Sequence, residues 1–173
     1  MKTETKIRLT ILVLMMVVNT IAQNFETQLA AYHYESWIVF MSNIMFFAII
    51  DDNLKRKFIS TLTGSVVGLV QAYVLILVRS FLAGIGINAL LATILPLGII
   101  LSCNILLTHK LPYICNNVTL TYFNVALINA EELYMNFIPY LLWCIGEFVV
   151  MTGLCVIAMI YFMKQAKRGV QNV

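Results

Sequence analysis

The sequence predicts an all-α fold, a polytopic membrane bundle of about six transmembrane helices that forms one domain over residues 1–173. Of the 173 residues, 61% are hydrophobic and 11% are charged, whereas soluble domains carry about 25% charged residues. The apolar residues form runs close to the ~20 residues that cross about 30 Å of hydrocarbon. Because so little charge remains to cover a soluble surface, these runs are predicted to be membrane spans.

Six apolar runs follow one another along the chain. The first follows a basic tail, the second an aromatic-rich loop and the third a basic turn. The fourth is uninterrupted, the fifth is short and polar, and the sixth is the longest. They cover residues 7–22, 37–50, 58–78, 88–107, 113–128 and 138–163. All connecting turns are short, so we expect no soluble domain between the spans.

The distribution of positive charge supports the number of spans and their orientation. With six spans, every Lys and Arg residue except Arg79 falls on one side of the membrane, and the opposite loops contain four acids. The basic residues are Lys2, Lys6, Arg8, Lys55, Arg56, Lys57, Lys110, Lys164, Lys167 and Arg168, and the acids are Glu26, Glu35, Glu131 and Glu132. The positive-inside rule makes the basic side the cytoplasm. Both termini are therefore predicted to be cytoplasmic, in a bacterial inner membrane.

The first apolar run also has features of a cleavable signal peptide. A basic tail precedes a short apolar core, and Thr20 and Ala22 suit a small-residue cleavage site. Cleavage would leave five spans and an external N-terminus, whereas a retained first span gives six. The remaining topology is the same in both cases.

The sequence argues against several function classes. No basic stripe with interleaved aromatic residues indicates a nucleic-acid surface. His33 and His109 are isolated and no CxxC pair occurs, so we expect no metal site. Neither a nucleophile–base pair nor a phosphate loop can be recognised, so we expect neither an enzyme nor a cofactor. The cysteines are predicted to be buried apolar thiols, and they are Cys103, Cys115, Cys144 and Cys155.

Span three carries a stripe of small residues spaced four apart, which lie on one face of a helix. Small residues let helix backbones approach closely in lipid, so the stripe predicts close packing, within the subunit or with a second copy. Because six helices leave little room for a wide pore, we expect a homo-oligomer packed through such faces. The stripe is Ser60, Gly64, Gly68 and Ala72, and span six has a similar face with Gly146 and Gly153.

The two halves of the chain are loosely similar. The segment from Ala48 to Asp52 and the segment from Ala126 to Glu132 both end in acids, and a glycine-bearing span follows each. Three spans per half would make the halves inverted in the membrane, which is a common transporter plan. An inverted three-plus-three repeat is one interpretation, and chance similarity is the other.

Glu147 is the strongest single candidate for function. It lies about nine residues into span six, where a charged acid costs roughly 2.5–3.5 kcal/mol on insertion scales. It must therefore face the bundle interior, pair with a cation or carry a proton, and such an acid suits proton coupling. Arg79 could extend towards it from the outer end of span three. The alternative is a neutral, hydrogen-bonded packing residue.

Span five is the most polar of the six. A short polar segment preceded by Pro112 fits a broken or re-entrant helix that lines a polar cavity. The alternative is that these side chains join helices through interhelical hydrogen bonds, worth about 0.6 kcal/mol each on average. The candidate path residues are Asn116, Asn117, Thr119, Thr121 and Asn124, with Asn43, Gln71 and Asn104 of other spans as possible members of the same network.

Several segments resemble a known family of bacterial inner-membrane proteins. Phe46–Phe58, Ser60–Gly68, Leu111–Ile114 and the glycine-bearing last span are similar to the YcdZ-like proteins, a domain family of unknown function. The resemblance covers most of the chain and implies a multispanning inner-membrane protein, without functional residues. The chain differs from the family pattern at Asp51–Asn53, where the family has a Gly-rich turn, and near Cys115, where it has a Pro-Gly step.

Two function hypotheses follow from these features. The first is a small transporter or channel for a small polar solute or ion, in which span five lines the path and Glu147 gates it or couples protons. The second is a non-transporting structural or accessory subunit of a membrane complex, in which the polar residues only join helices. In both cases the predicted surroundings are the lipid bilayer and further copies of the chain.

Overall fold

The computed structural model describes residues 3–32, 34–49, 53–154, 156–158, 160–161 and 164. All regular secondary structure in these ranges is helical, which confirms the predicted all-α class. Some residues used in the sequence predictions lie outside the described part, namely Lys2, His33, Ile50, Asp51, Asp52, Cys155, Met163, Lys167 and Arg168.

The described residues form a succession of α-helices joined by short connections. The α-helices are α1 (Thr3–Leu29), α2 (Ser36–Ala48), α3 (Leu54–Gly84), α4 (Ala89–Leu107), α5 (Asn117–Ala126), α6 (Ala130–Met135) and α7 (Phe137–Glu147). Single 3-10 turns cover Ala30–Tyr32 and Leu127–Asn129, and a π turn covers Phe148–Thr152. Beyond the π turn, helical backbone continues through the described residues as far as Lys164.

Two described helices, α3 and α4, are long and apolar enough to cross a membrane, with mean hydropathy of 2.0 and 2.3. They correspond to predicted spans three and four. Three shorter apolar helical stretches correspond to predicted spans one, two and six, namely Leu12–Glu26, Ser36–Phe47 and Phe137–Val150. The predicted fifth span is α-helical only in the 10 residues of α5, about 15 Å of helix, which is half of the hydrocarbon thickness.

Asparagine side chains define where three of the helices begin. Asn53 accepts a hydrogen bond from the Arg56 amide at 3.1 Å at the start of α3. Asn88 and Asn116 cap α4 and α5 in the same way, with bonds of 2.9 and 3.0 Å from backbone amides. Such caps satisfy amides that have no partner inside the helix. Because Asn116 is a cap, α5 starts four residues after the predicted start of span five.

Helix α3 lies at the centre of the bundle, and α5 packs along its stripe of small residues. A Cβ added at Gly64 would meet Val118 Cβ at 2.9 Å, and one added at Gly68 would meet Tyr122 Cβ at 2.6 Å. Residue numbers increase together along this contact, so α3 and α5 run in the same direction. The stripe on α3 is therefore occupied by the chain's own α5.

The N-terminal helix packs at the side of the bundle through one narrow face. Val18 and Ala22 are buried in a small cluster with Tyr34. Leu12, Met16 and other large apolar side chains on the helix are exposed. Helix α1 runs without interruption across Ala22, the position at which the signal-peptide interpretation places the cleavage site.

The helices of the two halves are interrupted at different places. Helix α3 is one uninterrupted helix of 31 residues, whereas its counterpart in the second half consists of α7, a π turn and the described helical residues as far as Lys164. Helix α2 has 13 residues, and its counterpart is divided into α5, a 3-10 turn and α6. The described helices therefore add nothing to the loose sequence similarity that suggested an inverted repeat.

Candidate functional site

Glu147 is the last residue of α7 and lies directly before the π turn. It is ten residues from the start of α7, about 15 Å along the helix axis. The Tyr34 hydroxyl, from the loop before α2, forms a hydrogen bond with the Glu147 carboxyl. The other carboxyl oxygen, Oε2, is buried and has no hydrogen-bond partner among the described residues. An incompletely solvated acid therefore lies beneath the first long loop.

An open groove of about 640 Å³ lies beside Glu147, between α7 and the 3-10 turn that follows α1. Its walls are mainly apolar and aromatic, with Glu147 as the one acidic residue among Ala31, Tyr32, Pro139, Leu142, Trp143, Gly146, Glu147 and Val150. Trp143 Nε1–H donates to the Tyr32 carbonyl at 2.9 Å, and the ring of Tyr34 meets Trp143 edge to face at 4.9 Å. These contacts fix one wall of the groove.

Further acids lie near the residues between α1 and α2 that cover Glu147. Ser36 Oγ donates to Glu26 Oε2 at 2.9 Å, and the Tyr140 hydroxyl donates to Glu35 Oε1 at 3.2 Å. Burial raises the pKa of the Tyr34 phenol well above its ordinary value, and the negative charges of Glu147 and Glu26 raise it further. Tyr34 consequently keeps its proton and remains a hydrogen-bond donor to Glu147.

The far end of the π turn contacts α2 through two fully buried polar side chains. Thr152 Oγ1 donates to Asn43 Oδ1 at 3.3 Å, and both residues have no exposed surface. The amide nitrogen of Asn43 is buried without a partner among the described residues. Two buried polar atoms near the π turn therefore lack a hydrogen-bond partner among the described residues. They are the amide nitrogen of Asn43 on α2 and Oε2 of Glu147 at the start of the turn.

Asn116 and Thr119 of the predicted path have structural roles in their own chain. Asn116 Nδ2 donates to Ser60 Oγ at 3.0 Å and to the Pro112 carbonyl at 3.1 Å, while its oxygen caps α5. Thr119 is fully buried and donates to the Ile114 carbonyl. The Asn116–Ser60 bond joins the start of α5 to α3, as the interhelical alternative predicted, whereas the other bonds stay within the turn and the start of α5.

Asn117, Thr121 and Asn124 lie on other faces of α5. Asn117 and Thr121 line a cavity of about 480 Å³ together with Asn116 and residues of α2 and α3. Asn124 is exposed and donates to the Leu120 carbonyl of its own helix. This cavity and the groove beside Glu147 share no lining residue. The structure therefore does not bring the span-five residues and Glu147 into one path.

The two predicted packing faces differ. On α3, Ser60 contacts Asn116 and Ala72 is fully buried, in line with the contacts at Gly64 and Gly68. A Cβ added at Gly146 or Gly153 would meet no atom within 4 Å. The expectation that these two glycines mark a closely packed face is therefore not met within the described chain, because Gly146 instead lies at the open groove.

Other predicted residues take no part in the site. Arg79 is exposed on α3 and does not line the groove. His109 lies in an exposed turn, and the described residues include no group of three or more His, Cys, Asp or Glu side chains arranged for a metal ion. Cys115 and Cys144 are buried free thiols as predicted, but Cys103 is exposed.

Sequence reasoning identified Glu147 but missed the residues around it. The loop that contains Tyr32 and Tyr34 was recognised only as rich in aromatic residues, and the π turn was not predicted at all. Their relation to Glu147 depends on contacts between segments far apart in sequence. The aromatic residues of the first loop were the available signal, since it is unusual for a loop to contain so many large apolar side chains.

Comparisons with known proteins give this chain no relative from which a function could be transferred. No protein family, curated protein or solved structure matches it. The resemblance to the YcdZ-like proteins accordingly stays a prediction from the sequence.

Proposed function

We propose that this chain is a six-span inner-membrane protein that moves a small solute or ion across the bilayer with proton exchange at Glu147. The observation that supports this proposal most strongly is the state of the Glu147 carboxyl. One hydrogen bond reaches it from Tyr34, while its Oε2 atom is buried without a partner. An acid with a purely structural role would be expected to have partners for both oxygens, and a solvated acid would not be buried.

The energetic cost of this arrangement supports a functional role. A charged acid at the middle of a membrane helix costs roughly 2.5–3.5 kcal/mol, and a buried carboxylate without full pairing is costly in any protein. The cost disappears when Glu147 gains a proton or pairs with a cation. It returns when the proton or cation leaves. Glu147 can therefore exchange a proton for a substrate in the course of a transport cycle.

The π turn directly after Glu147 supports the same proposal. π turns within helices are rare and frequently occur at functional sites. Here the turn Phe148–Thr152 separates Glu147 from the part of the last helix that contacts α2 at Asn43. A change of this turn towards regular α-helix would rotate Glu147 relative to that contact. The carboxyl would then face different surroundings.

The charge distribution supports the proposed orientation. The basic residues Lys55–Lys57 lie in the first turn of α3, and the acids Glu26, Glu35 and Glu132 belong to the predicted opposite loops. The parallel directions of α3 and α5 agree with six crossings, since both are odd-numbered spans. In this topology the groove beside Glu147 opens in the outer half of the bilayer.

The test is proton flux in proteoliposomes that contain the purified chain and an internal pH-sensitive dye. Small neutral solutes and monovalent cations are supplied outside in turn, and the substrate-dependent pH change is recorded. Glu147→Gln is expected to abolish this change without loss of folded protein, and Glu131→Gln, at an exposed acid on α6, is the matched control. A Glu147→Gln variant with wild-type flux would refute the proposal.

One observation favours a second candidate, a non-transporting accessory subunit. The polar residues at the start of α5 bond to their own chain, since Asn116 joins Ser60 and caps α5. Under this candidate the Glu147 variant loses folded protein and no flux is measurable in any variant. Isolation of the native protein with one fixed heterologous partner would favour it.

A further inference from the structure

The groove beside Glu147 has the size and the lining of a site for an organic molecule. Its volume is about 640 Å³, within the ~300–1,000 Å³ typical of small-molecule pockets. The side chains of Pro139, Leu142 and Val150 make its walls apolar. Trp143 is held in place by its bond to the Tyr32 carbonyl. Such a lining favours a molecule with an apolar body over a small, strongly hydrated solute.

The charges around the groove favour a cation over an anion. Glu147 is the one charged residue in the lining. Its Oε2 atom is buried without a hydrogen-bond partner among the described residues, so a cation pairs with it once the carboxyl turns towards the groove. Glu26, whose charge acts on Tyr34 of the covering loop, adds negative charge. The faces of Tyr32 and Trp143 can also attract a cation within about 6 Å of the ring centre. An amphipathic cation would meet an apolar wall and one negative group.

We propose that this groove binds an organic monocation with an apolar body, which reaches the groove from the lipid or the outer surface. The inference rests on the proposed function and names the substrate class of that same site. It replaces the small polar solute expected from the sequence, because the polar residues of span five line a different cavity. Trp143 and Tyr32 contact the apolar body, and the Glu147 carboxylate pairs with the positive group.

The experiment measures equilibrium binding of two probes to the purified chain in lipid nanodiscs. The probes are tetraphenylphosphonium and tetraphenylborate, which have nearly the same size and shape but opposite charge. Wild-type protein is expected to bind the phosphonium at least about tenfold more tightly than the borate. Empty nanodiscs give the partition of each probe into lipid, which is subtracted.

Two variants test the site, and each is checked for folding by gel filtration and circular dichroism. Gly146→Leu fills the groove from a position at which a Cβ meets no atom within 4 Å, and it should abolish saturable binding of the phosphonium. Gly153→Leu, equally unobstructed but outside the groove, is the control and should bind like wild type. Glu147→Gln should weaken phosphonium binding about tenfold and leave borate binding unchanged.

The outcomes separate this inference from the proposed function. Phosphonium binding that survives Gly146→Leu, or that equals borate binding, overturns the inference even if Glu147-dependent proton flux is observed. Phosphonium binding that requires both Gly146 and Glu147 supports the inference even if no flux is observed, in which case the transport proposal alone fails. If Glu147→Gln does not fold, the comparison of Gly146→Leu with Gly153→Leu still shows whether the phosphonium binds in the groove.

Discussion

Gln71 of α3 and Asn104 of α4 exchange two side-chain hydrogen bonds. Asn104 Nδ2 donates to Gln71 Oε1 at 2.8 Å, and Gln71 Nε2 donates to Asn104 Oδ1 at 3.3 Å. Both residues were expected to join a polar network around span five. They satisfy each other instead, and they join the two helices that are most clearly able to cross a membrane.

Removal of this pair should destabilise the contact between α3 and α4. We expect a double-mutant cycle of Gln71→Leu and Asn104→Leu to give a coupling of about 0.6 kcal/mol, and not more than about 1.7 kcal/mol. Each single variant leaves the other amide without its partner. Each should therefore lower the free energy of unfolding by more than the coupling energy of the pair. The free energy of unfolding in mixed micelles measures the cycle. Strictly additive effects would contradict this prediction.

The contact of α5 with Gly68 should not tolerate any added side-chain atom. A Cβ at this position would lie 2.6 Å from the Thr119 carbonyl oxygen and 2.6 Å from Tyr122 Cβ. Because the first of these atoms belongs to backbone, Gly68→Ala should cost about 1–3 kcal/mol through overpacking. Gly98→Ala on α4, where a Cβ meets no atom within 4 Å, is the control and should not destabilise. The thermal unfolding midpoints of the two variants check the prediction.

The small-residue stripe shows what sequence could and could not predict about packing. A spacing of four places Gly64 and Gly68 on one helix face regardless of context, so the face was predictable. The identity of the partner was not, because α5 reaches α3 only after the intervening α4 and a turn. The stripe was expected to carry a homo-oligomer, but its face is already covered by Val118 and Tyr122. Any second copy must use another surface.

Cysteines introduced into α5 should react in a face-dependent way. Thr121 lines the cavity of about 480 Å³, whereas Thr119 is fully buried and donates a hydrogen bond to the Ile114 carbonyl. Thr121→Cys should therefore react with a small water-soluble thiol reagent, and Thr119→Cys should be inert. Mass spectrometry of the native protein, in a background with its own cysteines replaced, measures the difference. Equal reactivity would mean that α5 is oriented differently.

Span five illustrates why polarity alone could not separate a transport path from a packing network. Asn116 and Asn117 are adjacent and chemically identical, and both line the same cavity, yet only Asn116 caps α5 and bonds to Ser60 of α3. The distinction depends on where the helix begins, which composition does not specify within a few residues. Asn116 could have been recognised as a cap from its position three residues before Thr119 and after the turn at Pro112.

Glu35 should make the stability of the fold depend on pH. Burial raises the pKa of its carboxyl above the ordinary value of 4.5, and the charges of Glu26 and Glu132 act in the same direction, against the hydrogen bond from Tyr140. A raised pKa in the folded state means that folding favours the protonated form. Its stabilising contribution is therefore complete below pH 4.5 and is lost as the pH rises through the folded-state pKa.

The variant Glu35→Gln isolates this effect. It keeps an acceptor for the Tyr140 hydroxyl but carries no titratable proton, so the decline of the unfolding midpoint with rising pH should become shallower. Glu131→Gln, at an exposed acid on α6, should keep the wild-type profile. A wild-type midpoint that rises through the same pH range would show that the carboxyl is stabilised as an anion.

The proposed topology makes an unusual prediction for amine labelling, because every lysine of the chain lies on the predicted cytoplasmic side. A membrane-impermeant amine reagent applied to intact spheroplasts should leave the protein unmodified, and the same reagent should modify Lys55 and Lys57 in inverted vesicles. Glu131→Lys places one lysine in an outer loop and should be labelled in spheroplasts, which proves that the reagent reaches that surface. Labelling of Lys55 or Lys57 from outside would reverse the orientation of α3. It would also place the groove beside Glu147 in the opposite leaflet.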